Sequence, residues 1–389
     1  MSGTRADIVD WLLGEARTLP DLGALLGALG RRLIDAGLPV HRLNYGFQTL
    51  HPEVRALTYL WQADRDEVTT RLIDFETQNS AVYLVSPVRI IYEGGDMVRC
   101  RLEGEDANIE YRFLEDMQAE GYTDYLALAL PLHGGKQSPF TLSSKAPGGF
   151  SDDDIARVRA FLPALGLLVD LHASMHLSRS LLDVYLGHGT GERVLAGAIR
   201  RGTVRRIPAA IFFCDLRGFT ALSETLPRDR IIHVLNDWFG AVGTAIDEYS
   251  GEILKFIGDA ALAIFPVGDD TATEACAKAW TAACKARANI AALNERRAAE
   301  GKPELRYGMA LHVGEVLYGN IGAPGRLDFT VIGPAVNRAA RLEGLASRLG
   351  RPLVVSADFN ALAGPFESLG SFELKGIDGL VEAFAPADE

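Results

Sequence analysis

Two short segments carry acids where chemistry can use them. In Phe213-Cys214-Asp215-Leu216-Arg217-Gly218-Phe219-Thr220, a carboxylate ends an apolar run and a glycine turn opens a helix. Backbone N–H groups at such a turn can cradle phosphates, and the carboxylate can hold a hard cation. Read alone, Asp215 could equally be a cap or turn acid. In Lys255-Phe256-Ile257-Gly258-Asp259-Ala260, a second acid sits at the tip of a tight turn between apolar runs. A single Gly-Asp there is usually only a turn. Two acids at separate strand ends can bind a pair of Mg²⁺ ions, the arrangement that serves in-line phosphoryl displacement.

The elements that must position these acids read as follows. Residues 208–214 form an apolar strand, and residues 228–249 carry Ile231, Leu235, Trp238, Val242, Ile246 and Tyr249 at helical spacing. Segments 251–257 and 260–265 make a hairpin around Gly258 and Asp259, and an Ala-rich helix follows at 270–299. Strands are expected at 306–313, 315–321 and 327–332, a helix at 334–348, then strands at 352–355, 368–374 and 381–385. The order βαββαββαβ with antiparallel hairpins predicts an α+β sandwich with helices on one face.

The motifs resemble those of class III adenylate/guanylate cyclases. Asp215 to Thr220 and Gly258-Asp259-Ala260 are similar to that family's two metal motifs. The run Arg326-Leu327-Asp328-Phe329-Thr330-Val331-Ile332-Gly333-Pro334-Ala335-Val336-Asn337-Arg338-Ala339-Ala340-Arg341-Leu342-Glu343 is similar to its strand-to-helix signature, with Asn and Arg four apart on one helical face. Phe372-Glu373-Leu374-Lys375-Gly376 resembles its Lys-Gly element, and the motifs fall in the family's order over about 205–385. The resemblance implies that Asp215 and Asp259 hold two Mg²⁺ (or Mn²⁺) ions. It implies that Gly218, Phe219 and Thr220 line the phosphate turn, and that Arg326 and Lys375 bind the outer phosphates. Asn337 would orient the ribose, and Arg341 would stabilise charge on the α-phosphate. Each of these side chains also has a plain reading as a helix polar residue, surface cation or turn-flanking charge.

Base choice then rests on Lys255 and Thr330. A lysine donates to adenine N1, whereas guanine N1 carries a proton and wants an acceptor. The Thr330 hydroxyl can accept from the adenine amino group or donate to a guanine oxygen. The expected substrate is therefore ATP and the expected product cyclic AMP. A guanylate cyclase and a catalytically inactive nucleotide-binding regulator are the alternatives. In the family the acids come from one subunit and Asn, Arg and Lys from its partner, so one domain carrying both sets implies a homodimer.

Residues 1–150 say less. Helices at 7–16 and 21–36 precede strands at 41–50, 54–62, 82–92, 97–103, 108–113, 125–132 and 137–144. The turns fall at 93–96, 104–108 and 134–136. This α+β pattern resembles GAF-type sensor domains, for an unknown small-molecule or protein signal. His41, His51 and Cys100 read as packing or surface residues rather than ligands. Ser151 with Asp152, Asp153 and Asp154 starts a helix, and Pro163 should kink it. Its apolar residues at 155–169 suit either the sheet or a dimer seam, while 171–186 suits a seam. Residues 187–207 are Gly-rich, then basic at Arg200, Arg201, Arg205 and Arg206, and read as a joint plus a short helix. The expected division is a sensor at 1–150, a helical dimerisation and transmission linker at 151–207, and a catalytic domain at 208–389.

Bulk properties set bounds. The 389 residues carry a formal charge of −12, which disfavours a broad nucleic-acid surface. Four cysteines show no metal spacing. The N-terminus lacks signal-peptide features, and no uninterrupted apolar run reaches the length of a bilayer span. The expectation is a cytoplasmic protein without a membrane span.

Overall fold

The computed structural model describes residues 3–48, 54, 56–74 and 86–387. The chain divides into two compact units, Met1–Leu181 and Leu182–Glu389.

The first unit opens with helices α1 (Gly3–Leu13) and α2 (Leu22–Asp35). The Asp21 side chain caps α2 by accepting the Ala24 N–H at 2.8 Å. Strands β1 (Arg42–Gln48), β2 (Ala56–Gln62) and β3 (Glu67–Ile73) follow, then helix α3 (Pro87–Tyr92), β4 (Met97–Arg101), helix α4 (Arg112–Ala119), β5 (Asp124–Pro131), β6 (Gln137–Ser144) and helix α5 (Asp152–Leu186). The sheet runs β3-β2-β1-β6-β5-β4, antiparallel throughout. Alternation along β5 sorts its two faces. Leu126, Leu128 and Leu130 pack with α1, α2 and the first half of α5. Tyr125 and Ala127 pack with α3 and α4.

Three elements here differ from the sequence reading. The expected strand at 82–92 lies partly outside the described residues, and 87–92 is helix, where Pro87 fits the first turn. No strand forms at 108–113. Ile109, Tyr111 and Phe113 alternate as a strand would, but they lean on the α4 cluster and Arg112 begins that helix. Strand β3 was not expected because most of its residues are exposed, so no apolar alternation marks it. His41 receives the Lys145 N–H on Nδ1 at 3.1 Å, while His51 lies outside the described residues.

Helix α5 begins as expected. Ser151 Oγ accepts the Asp154 N–H at 3.2 Å and donates to the Asp154 carboxylate at 2.7 Å. The helix runs unbroken through Pro163. Most apolar residues from Ile155 to Val169 are core of this unit. Beyond them Leu171, Met175, Val184 and Tyr185 are exposed, as is Leu167. By length and composition alone α5 could cross a membrane, yet its first half is the packed side of a sheet.

The second unit holds helix α6 (His188–Leu195), β7 (Val204–Leu216), helices α7 (Phe219–Thr225) and α8 (Arg228–Glu248), and the hairpin β8 (Glu252–Ile257) and β9 (Ala260–Pro266). Helix α9 (Ala272–Ala299), β10 (Tyr307–Ala323), β11 (Arg326–Ile332) and helix α10 (Pro334–Leu349) come next. The chain ends with β12 (Leu353–Ser356), helix α11 (Ala357–Ala363), β13 (Glu367–Glu373) and β14 (Leu380–Ala385). The sheet order is β13-β14-β12-β10-β7-β9-β8, with β11 paired to β10.

Helices cover both faces, not one. Ala210, Phe212 and Cys214 of β7 meet α8 and α9. Ala209 and Ile211, pointing the other way, share a cluster with Ala335 and Ala339 of α10. The two strands expected at 306–313 and 315–321 are one. Gly314 between them is no break: a Cβ there would stand 2.8 Å from the Ala335 Cβ, so the glycine lets α10 approach the strand.

Residues 187–207 are fastened to this unit. Thr190 donates to Glu252 at 2.6 Å, and the Tyr318 hydroxyl meets the same carboxylate at 2.6 and 2.7 Å. Arg205 and Arg206 belong to β7, where Arg206 faces Glu315 at 3.5 Å in an exposed pair.

Candidate active site

Asp215 stands at the end of β7 and Asp259 in the two-residue turn joining β8 to β9. Gly258, at φ +66°, takes the first turn position, which a tight hairpin of this hand needs filled by a residue that tolerates positive φ. The fully buried Trp238 of α8 donates its indole N–H to the Asp259 carbonyl at 3.0 Å, fixing that turn. Strand β7 is held centrally by ladders to β10 and β9. The two acids thus come together from rigid elements.

Their electrostatics are strained. Burial pushes the Asp215 carboxyl up to about 7, helped by the neighbouring Asp259 and Glu343. Its Oδ1 is buried with no hydrogen-bond partner. An unmet carboxylate oxygen beside a second carboxylate fits a hard cation, which would supply the missing contact and offset the repulsion. Among the described residues no cluster of three or more acids, histidines or cysteines forms a metal cage. A cation here would complete its shell with nucleotide oxygens and water.

The third carboxylate, Glu343, had no assigned role in the sequence. It is 8% exposed on the inner side of α10. Its own carboxyl is raised by burial, against the lowering pull of Arg217. Gly308 lies opposite Asp215 in the β7–β10 ladder, and a Cβ there would meet Glu343 Oε1 at 2.3 Å. A glycine at the start of a strand was the available signal.

Asn337 and Arg341 share the outer face of α10 and are exposed. At 100° per residue they point well away from Glu343. Neither side chain is hydrogen-bonded or ion-paired to the acid pair. Gly218 adopts φ +75° and opens α7, with Phe219 and Thr220 in its first turn. Arg326, at the start of β11, and Lys375, after β13, are exposed. Three strands stand between β13 and β7.

Lys255, one proposed base reader, reaches β11, the strand that carries the other, Thr330. Lys255 forms an ion pair with Asp328 of β11. Asp328 and Thr330 are two apart and share one side of that strand, while Phe329 and Val331 point into the core. Thr330 is 4% exposed and its hydroxyl has no hydrogen-bond partner. Asp328 was missed because its role depends on β8 lying beside β11.

Residues 205–383 match the family described as the adenylate and guanylate cyclase catalytic domain. A 150-residue stretch is 39% identical to an adenylate cyclase of Anabaena cylindrica, covering 38% of this chain and 29% of that protein. A 169-residue stretch is 30% identical to adenylate cyclase 1 of Rhizobium meliloti (strain 1021), covering 42% and 25%. The chain thus spans under a third of the length of these relatives. Among solved structures, the adenylyl cyclase CyaB from P. aeruginosa is 27% identical over 47% of this chain and 94% of its own, with a TM-score of 0.44.

Proposed function

We propose that the second unit converts ATP to 3′,5′-cyclic AMP and diphosphate, as a homodimer with shared sites. The observation that carries this reading is the half-buried pair Asp215 and Asp259, with Asp215 Oδ1 buried and unmet, on a chain whose Asn337 and Arg341 face outward. A pocket with acids but no cation for the α-phosphate needs a second chain to complete it. Exposed Phe256 and Ile257, directly before the Gly258–Asp259 turn, give such a partner an apolar rim. The exposed residues of α5 at 167, 171 and 175 offer a helical seam.

Asp215 and Asp259 would hold two Mg²⁺ or Mn²⁺ ions, which lower the pKa of the ribose 3′-hydroxyl and neutralise triphosphate charge. The Gly218–Thr220 turn presents backbone N–H groups to phosphate oxygens. Asn337 of the partner chain orients the ribose. Arg341 from the same helix face meets the charge that grows on the α-phosphate oxygens. Arg326 and Lys375 bind the outer phosphates, which leave as diphosphate. Lys255 donates to adenine N1, and the buried Thr330 hydroxyl accepts from the 6-amino group.

The first unit is read as a GAF-like regulatory domain acting through α5, in a cytoplasmic protein that meets ATP directly. The test is to supply purified chain with Mg²⁺ or Mn²⁺ and either ATP or GTP, and to measure cyclic product. Cyclic AMP as the main product is expected. Cyclic GMP as the main product would mean that the Thr330 hydroxyl acts as donor and Lys255 does not select the base. No cyclic product from either nucleotide would favour an inactive nucleotide-binding regulator.

A further inference from the structure

The first unit contains a cavity of about 820 Å³ that no step of the cyclase reading uses. It lies on the sheet face covered by α1, α2 and α5, between strands β1 and β6 and the second half of α5. Its volume falls in the range of small-molecule sites, ~300–1,000 Å³. The floor is aromatic and uncharged: Tyr45 and Phe47 are 3% and 5% exposed. Tyr92 and His176 add aromatic walls, and His176 sits edge-on to the Phe47 ring at 5.7 Å. Three charged side chains also line the cavity: Glu93 and Lys136 are exposed and Asp170 is half-buried. Glu93 is exposed and paired with Arg89 at 2.6 Å, and Asp170 takes the His133 N–H at 2.7 Å.

One polar atom on the floor is unmet. The Tyr45 hydroxyl is buried with no hydrogen-bond partner. The Ser138 hydroxyl, the polar side chain beside it, donates to the Gly46 carbonyl at 2.7 Å. A buried phenol normally finds a partner, and leaving it without one is costly.

We propose that this cavity binds a flat, uncharged, fused-ring heteroaromatic molecule whose ring acceptor takes the Tyr45 hydroxyl proton. The aromatic walls favour a flat ring system over an aliphatic chain. The uncharged floor penalises an ionised group carried to its depth. The single unmet donor selects for an acceptor placed at the buried end of the ligand. The site is built largely from β1, β6 and α5, so a bound molecule would rest against the helix that carries the chain into the second unit.

The test uses the full chain and two probes of one shape, quinoline and naphthalene, at a pH where quinoline is neutral. Binding is read by saturation-transfer NMR as protein is titrated into each probe, so cyclase turnover plays no part. Quinoline is expected to bind about tenfold more tightly than naphthalene, the difference being one hydrogen bond. Tyr45→Phe removes only the hydroxyl and should bring that ratio to about one. Ala173→Trp fills the cavity and should abolish binding of both. If that variant fails to fold by circular dichroism, the Tyr45→Phe ratio decides. The proposal is overturned if neither probe binds the folded wild-type chain. It is equally overturned if binding survives a folded Ala173→Trp, or if the tenfold ratio persists in Tyr45→Phe.

Discussion

In the second unit the proposed reactive groups stand at strand ends, in turns and on the outer face of a helix. In the first, the unmet polar group sits within a strand, beneath a helix. The first unit's sheet is antiparallel and the second's is mixed, both are dressed with helices, and both leave a buried oxygen without a partner: Asp215 Oδ1 in one, the Tyr45 hydroxyl in the other. The acid is unmet in an ionic setting, so it calls for a cation and charged phosphates. The phenol is unmet in an aromatic setting, so it calls for a neutral ring. The surroundings, more than the orphaned atom, define what each site can take.

The largest effect expected is at the acids. Asp215→Asn or Asp259→Asn should lower cyclic-product formation at least ~100-fold, from loss of metal-assisted catalysis, with an unchanged circular dichroism spectrum. Quinoline binding by the first unit should not change. Near-normal turnover in either variant would remove the acid pair from the chemistry.

The next test asks whether the acid site spans two chains. Asp215→Ala and Asn337→Ala should each be inactive alone. Co-expressed, random pairing makes about half the dimers mixed, each with one intact site of two, so about a quarter of wild-type activity should return. Mixed dimers that form but stay inactive would place the whole pocket within one chain.

A smaller change is expected at Gly308. Gly308→Ala should displace the Glu343 carboxylate and cost about 1–3 kcal/mol of stability in a denaturant titration. Stability unchanged from wild type would show that Glu343 moves aside freely.

The crowding of the acids should also be visible in pH. Because the Asp215 carboxyl is raised from its ordinary 3.8 to about 7 in the folded chain, its contribution is fully present below about pH 4 and is lost as pH rises toward 7. Asp259→Asn relieves a main neighbour. The melting temperature of that variant should therefore gain on wild type between pH 4 and pH 8 in metal-free buffer. A difference that stays flat with pH would mean the two acids do not repel.

The smallest effect is reserved for Asp328. The Lys255–Asp328 pair is partly exposed, so Asp328→Asn should alter stability by under ~1 kcal/mol. The ratio of ATP to GTP turnover should shift nonetheless, because Lys255 is no longer held by a neighbour. An unchanged ratio would make the pair a surface ornament of the base pocket.

The two units were not equally legible. Asp215 and Asp259 could be singled out because each lies in a short local pattern whose residue types chemistry constrains, whereas Asn337 and Arg341 were singled out only through the resemblance to the cyclase family. The hairpin around Gly258 was readable for the same reason. Glu343 and Asp328 stood inside quoted motifs yet acquired roles only through Gly308 on β10 and Lys255 on β8, contacts that no local pattern encodes. In the first unit Tyr45 looks like any strand aromatic. Nothing near it reveals that α5 passes without filling the space above it. The same tertiary dependence explains β3, whose polar edge carries no alternation, and α10, whose placement on its own face follows from Gly314.

Trp238 adds a practical consequence. Its indole N–H is tied to the carbonyl of a residue whose side chain is half of the acid pair. The ring is wholly buried, so its emission reports a dry, fixed environment. Any ion that pulls the Asp259 carboxylate also tugs the peptide group to which the indole is tethered. If the site takes a cation as proposed, the emission of Trp238 should report its loading. The other three tryptophans would set a constant background, and a Trp238→Phe control would identify the portion of the signal that belongs to the site.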